Sequence, residues 1–190
     1  MTLSSQVNFM LIHVSRPRRL FLVGPMGVGK TTIGKILANE LGLRFVDCDQ
    51  EIEHRAGANI AWIFDVEGEA GFRMRETHVL DELTQEDRVL VSTGGGAVLK
   101  DKNRVYLKER GIVVHLDTGL ELLVKRTAND KKRPLLQNGN SRAILEKIKK
   151  DRDPFYREVS DVRVFIGDNS SRKAVLQIME NLKKEGLTQD

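Results

Sequence analysis

The sequence predicts a single α/β domain built on a parallel sheet. Two patterns predict it: short apolar runs of strand length alternate with segments of helical apolar spacing, and a glycine-rich turn joins the first run to the first helix. The length agrees, since 190 residues with 40% apolar content are enough for one ordinary core. Parallel strands joined through helices take right-handed crossovers, and ligands of such sheets bind at the carboxyl ends of the strands.

In chain order, residues 1–17 read as an N-terminal extension. The apolar stretch at 7–14 has Arg16, Arg18 and Arg19 after it, the reverse of the charge order of a secretory signal. No apolar run approaches the roughly 20 residues that span a bilayer, so the expected compartment is the cytoplasm. Strand-like runs follow at 20–23, 45–46, 89–91, 112–116 and 162–166. Ile33, Ile36, Leu37 and Leu41 share one face of a helix that Gly42 ends, and Ala174, Val175, Ile178, Met179 and Leu182 do the same near the C-terminus. The polar stretch 129–141 breaks the rhythm and reads as either a disordered loop or a lid. The one cysteine, Cys48, excludes an internal disulfide; flanked by Asp47 and Asp49, it is expected to pack rather than react.

The chemistry starts at Gly24, Pro25, Met26, Gly27, Val28, Gly29, Lys30, Thr31 and Thr32, a full match to G-x-x-x-x-G-K-[ST] between a strand and a helix. Glycines let backbone N–H groups turn inward toward phosphate oxygens, and the helix N-terminus adds its partial positive charge. Lys30 is placed to reach the β/γ phosphates, and the Thr31 hydroxyl to ligate Mg²⁺. The motif establishes nucleoside triphosphate binding, with Gly27, Val28, Gly29, Lys30, Thr31 and Thr32 as its residues, but leaves the phosphoryl acceptor open.

Further constellations narrow the acceptor. Asp47 and Asp49, one residue apart, are expected to share a face at the end of the second strand. One would hold Mg²⁺ through water and the other accept a hydroxyl proton; the competing reading is helix capping. Thr93, Gly94, Gly95 and Gly96 follow the third strand and allow close backbone approach to a ligand. No aspartate ends that strand, so Ser92 or Thr93 would stand near the metal. Gly71, Phe72 and Arg73 lie in a charged helical pattern. Arg126, Lys131, Lys132 and Arg133 flank or occupy the polar stretch, where an arginine could close over the γ-phosphate and exclude water.

The order G-P-M-G-V-G-K-T-T, D-C-D-Q-E-I-E, G-F-R, T-G-G-G-A-V, K-R-P-L-L and R-D-P-F-Y resembles shikimate kinases from about Arg18 to the C-terminus. The resemblance implies a three-layer P-loop NTPase fold with a central five-stranded parallel sheet, a substrate-binding helical region and a lid at about 129–141, all within one domain of residues 18–190. It implies transfer of the ATP γ-phosphoryl group to the 3-hydroxyl of shikimate, with Mg²⁺. Carried over by motif, Asp49 holds ring hydroxyls and acts as base, Arg73 and Arg152 pair with the shikimate carboxylate, and Gly95 contacts a hydroxyl. Lys30 and the lid arginine Arg133 are catalytic, Thr31 and Asp47 serve the metal, and Arg126 and Ser170 lie by the adenine. Arg157 stays open as a rival to Arg152.

Other readings make different demands. A gluconate kinase-like enzyme would share the phosphate loop but lack the paired arginines and the D-x-D. A regulatory GTPase would use the D-x-x-G match at Asp65 to Gly68, yet that match lies in a helical pattern and no N-K-x-D is present. A nucleic-acid-dependent ATPase would need a basic, aromatic surface. The net charge of +4 and pI of about 9.2 come instead from basic residues interspersed with acids. The expected partners are shikimate and ATP, with no nucleic acid and no membrane, acting on a monomer.

Overall fold

The computed structural model describes residues 18–128, 140–168 and 170–187. The expected N-terminal extension, and the expected lid up to Gly139 with Arg133, Lys131 and Lys132, lie outside the described residues. The described chain runs β1 (Arg19–Val23), α1 (Lys30–Leu41), β2 (Arg44–Asp47), α2 (Cys48–Ala56), α3 (Ile60–Leu83), β3 (Val89–Ser92), a 3-10 turn (Ala97–Leu99), α4 (Asp101–Arg110), β4 (Ile112–Asp117), α5 (Leu120–Thr127), α6 (Ser141–Val159), β5 (Val162–Phe165) and α7 (Ser171–Lys184).

The strands form one five-stranded sheet in the order β2-β3-β1-β4-β5, and every pairing is parallel. The central strands β1, β3 and β4 are buried on both faces and read as unbroken apolar runs, whereas the edge strands β2 and β5 carry exposed residues at Arg44, Arg163 and Phe165. Alternation then splits the core in two. Leu20, Leu22, Val114 and Leu116 face α1 and α7, while Phe21, Val23, Val89, Val91 and Val113 face α2, α3 and α4. Helix α6 serves both sides, with Leu145 in one cluster and Tyr156 in the other.

Local chemistry sets the helix ends. Helix α1 stops at Gly42, whose φ of 66° suits a residue without a side chain. Asn59 caps α3 by accepting from the N–H of Trp62, and Asn140 caps α6. Asn140 and Ser141, expected in the polar stretch, therefore belong to the start of α6. Helix α3 is broken at Gly68, where φ is 70° and ψ −179°. The D-x-x-G match thus sits at a helix kink rather than at a strand end, unlike a GTPase switch.

Register delivers the site. Leu22 of β1 and Asp47 of β2 are both partners of Ser92 in β3, so the three strands end nearly level. Their exits — the glycine-rich loop, the start of α2 and the triple-glycine loop — lie side by side at the carboxyl edge, where α/β sheets bind ligands.

Candidate active site

The phosphate loop is made by backbone. Gly24, Gly27 and Gly29 have φ of 142°, 80° and 105°, a region that disfavours side-chain-bearing residues. At Gly24 the constraint is doubled, because a Cβ there would lie 2.2 Å from the Leu116 carbonyl oxygen. Gly29 is the N-cap of α1, so the helix N-terminus opens into the loop. Lys30 is buried, and its ammonium donates to the carbonyls of Gly24 at 2.8 Å and Pro25 at 3.1 Å. It is thereby held at the mouth of the loop. Beside it, Val28, Gly29, Thr32, Arg126, Ile166 and Ser171 help line a cleft of about 240 Å³. The Arg126 guanidinium donates to the Val28 carbonyl at 3.0 Å, tying α5 to the loop. Ser170 is exposed and caps α7, its hydroxyl oxygen accepting from the N–H of Lys173. Its neighbour Ser171 is the serine that lines the cleft.

The aspartates correct the sequence reading. Asp47 and Asp49 do not share a strand face, because β2 ends at Asp47 and Asp49 already lies in the first turn of α2. The capping alternative holds for Asp47 without excluding a second role. One carboxylate oxygen accepts from the N–H groups of Asp49 and Gln50, and the other accepts from the Thr31 hydroxyl at 2.6 Å. A hard-oxygen pair at the foot of a phosphate loop matches the donor chemistry of Mg²⁺. Among the described residues no cluster of three or more His, Cys, Asp or Glu could hold a metal, so an all-protein cage is absent there. The Thr93 hydroxyl is committed elsewhere, donating to the Leu22 carbonyl at 3.0 Å.

The triple-glycine loop is where the remaining predicted residues converge. A Cβ on Gly94 would lie 2.6 Å from Glu76 Oε1 and 2.8 Å from Asp49 Oδ1; one on Gly96 would lie 2.3 Å from Arg73 Nη2. One on Gly95 would sit 3.3 Å from the Met26 amide of the phosphate loop and 3.7 Å from Arg152 Nη1. Each glycine therefore makes room for a different neighbour, and together they bring Asp49, Arg73 and Arg152 onto one stretch of backbone. Arg73 and Arg152 are each only 6% exposed. Two buried guanidinium groups beside one glycine loop have the chemistry to take a planar anion, although Arg73 also pairs with Glu69 and Glu76.

The structure separates Arg152 from its rival. Arg157 lies on the exposed side of α6 and pairs with Asp153 at 2.6 Å, away from the glycine loop. Cys48 is fully buried, and burial pushes its thiol well above its ordinary value, so it packs as expected.

Sequence reasoning missed Glu76. This carboxyl is 0% exposed, pairs with Arg73 at 2.7 Å through one oxygen, and leaves the other without a partner among the described residues. Burial raises it to about 7 against the pull of Arg73, with the Asp49 charge adding to the rise. The available signal was its i+3 spacing from Arg73, which on most helices marks only a solvated pair. Tyr156, the last residue of R-D-P-F-Y, donates its hydroxyl proton to the Gly95 carbonyl.

Comparison with known proteins follows the same line. The shikimate kinase family model matches residues 26–183. A shikimate kinase of Buchnera aphidicola subsp. Acyrthosiphon pisum is 49% identical over 90% of this chain and 99% of its own. One of Psychrobacter cryohalolentis is 53% identical over 86% and 88%. The solved shikimate kinase from Acinetobacter baumannii in complex with shikimate superposes with a TM-score of 0.87 at 47% identity, covering 90% of this chain and 96% of that one. A phosphate loop facing a pair of buried arginines, on a sheet and sequence shared with these relatives over nearly their whole length, settles the family: the chain belongs to the shikimate kinases.

Proposed function

We propose that this protein transfers the γ-phosphoryl group of ATP to the 3-hydroxyl of shikimate, giving shikimate 3-phosphate and ADP. The observation that carries the reading is the convergence of Arg73 and Arg152 on a glycine loop beside the phosphate loop. Two buried cations at that edge call for an anionic acceptor, and the hydroxyl to be phosphorylated must then lie between them and the triphosphate.

In this reading Arg73 and Arg152 grip the ring carboxylate, and the Gly95 backbone and Asp49 orient the hydroxyls. The acceptor oxygen attacks the γ-phosphorus as the bond to the β,γ-bridging oxygen breaks, and ADP carries away that electron pair. Asp49 takes the hydroxyl proton. Glu76 supports that role: being partly protonated near neutral pH, it keeps a second full negative charge away from Asp49. Lys30 and the N-terminus of α1 steady the phosphate oxygens. Thr31, with Asp47 through water, would hold Mg²⁺, which neutralises phosphate charge when bound. Arg126 and the cleft beside Ser171 would take the adenine.

Arg133, outside the described residues, is assigned the transition-state charge on its motif alone. Arg133→Ala should lower kcat about a hundredfold or more with a much smaller change in shikimate KM. An effect confined to KM would remove that role. Residues 18–190 would act as one monomeric catalytic domain in the cytoplasm, with the polar stretch up to Gly139 as lid. No helix among the described residues is long and apolar enough to cross a membrane.

The test of the whole reading is an ADP-release assay with Mg-ATP and a panel of hydroxy acids. Shikimate-dependent release well above background is expected. Release with gluconate and none with shikimate would replace this reading with that of a gluconate kinase-like enzyme.

A further inference from the structure

We propose that Tyr156 is a positioning residue that locks the carboxylate-binding arginine and the triple-glycine loop into one register, so that its hydroxyl governs affinity for the acceptor and not for ATP. The inference deepens the reading above and rests on it.

Three observations carry it. First, the Tyr156 hydroxyl hydrogen-bonds the carbonyl of Gly95, 61 residues away in the chain. Gly95 is the loop position that approaches both the phosphate loop and Arg152. Second, Arg152 lies at the same loop position, its Nη1 3.7 Å from where a Cβ on Gly95 would stand. The phenol gives its one proton to the Gly95 carbonyl, so the loop that Arg152 lies against is pinned from α6. Third, the ring itself is fixed. Tyr156 is among the largest fully buried side chains of the core, and His115 lies against it with ring centroids 5.0 Å apart. Burial holds the phenol at about 12 and His115 at about 4, so neither ring carries charge at neutral pH and the donor stays a donor.

The geometry explains why the two residues sit four apart. Arg152 and Tyr156 are one turn apart on the buried face of α6, so a single helix presents the cation that grips the acid and the hydroxyl that fixes the loop. Arg73 has carboxylate partners of its own in Glu69 and Glu76. Arg152 instead shares α6 with the hydroxyl that pins the loop beside it. Losing it would leave a buried guanidinium and a loop carbonyl free to shift relative to one another, and the acceptor feels both.

The test is Tyr156→Phe, which keeps the ring and removes only the hydroxyl. Shikimate KM should rise about tenfold, the scale of one buried hydrogen bond, with ATP KM unchanged within twofold. A double-mutant cycle with Arg152→Lys should be non-additive, because both changes break the same linkage. Unchanged shikimate KM, or strict additivity in the cycle, would reduce Tyr156 to packing. A parallel rise in both KM values would also overturn the proposal, by showing general disruption of the edge. If the functional reading itself is wrong, the unaltered protein fails to use shikimate, a result distinct from any of these.

Discussion

The two halves of the site are built from different materials. The phosphate half is contiguous in sequence and made mostly of backbone: three glycines with positive φ, a helix N-terminus, and one lysine folded over them. The acceptor half is assembled from side chains on α2, α3 and α6, brought together by a glycine loop that contributes mainly the absence of Cβ atoms. A backbone site recognises any triphosphate tail. A side-chain site recognises one acid, and it depends on distant segments arriving in the right register. Substitutions in the acceptor half should therefore damage acceptor use while sparing nucleotide binding.

The sharpest way to break that division is Asp49→Asn. Turnover should fall by about 10²–10⁴, the usual scale for a general base, while the Kd for ATP measured by calorimetry stays within about twofold. Near-normal turnover would remove Asp49 from proton transfer. Next in size is Gly96→Ala. The new Cβ would meet the Arg73 guanidinium at about 2.3 Å, so the arginine must leave its place. Shikimate KM should rise about ten- to a hundredfold, since one charge-assisted pair is lost. If ATP affinity fell as much, the two halves would be one mechanical unit and the division would fail.

The same contrast explains what the sequence could reveal. The phosphate loop was legible because all its constraints lie within nine adjacent positions flanked by a strand and a helix. The central strands β1, β3 and β4 were legible because burial on both faces leaves no polar alternation to confuse them, while the edge strands β2 and β5 showed only as short runs broken or flanked by Arg44, Asp47 and Arg163. The start of α2 was not legible. Phe45, Val46, Asp47, Cys48 and Asp49 carry no strong helix formers, so the sequence pattern reads as a strand that continues. What turns the chain is Asp47 capping the N–H groups behind it, a local bond that competes with strand pairing. Glu76 was hidden for another reason. Its burial is imposed by Gly94 and Asp49, 18 positions later and 27 earlier, and a helix pattern alone cannot show that.

Glu76 gives the third test, on stability. Its folded value of about 7 lies above the ordinary 4.5, so the folded state binds the proton more tightly. The fold is therefore most favoured, as far as this group is concerned, below about pH 4.5. It loses up to about 3 kcal/mol as pH rises from there through 7, and is flat above that. Glu76→Gln keeps the shape and removes the titration. In urea unfolding at pH 5 and pH 8, the natural chain should lose more stability on going to pH 8 than the variant does. Equal losses in the two proteins would mean that the carboxyl is paired well enough to ionise freely.

The smallest effect is expected where the sequence left two arginines in contention. Arg157 lies five residues after Arg152, yet only Arg152 turns inward. On α6 the buried positions are Leu145, Arg152, Tyr156 and Val159, and a step of five from Arg152 carries the chain about 140° around the axis to the exposed side. There Arg157 meets only Asp153 among the described residues, an i, i+4 surface pair worth roughly 0.5 kcal/mol. Arg157→Ala should leave kcat and both KM values within about twofold, whereas Arg152→Ala should raise shikimate KM strongly. A large loss of acceptor affinity in Arg157→Ala would mean that α6 rotates when the acid binds, and the acceptor half would then be a moving part rather than a preset one.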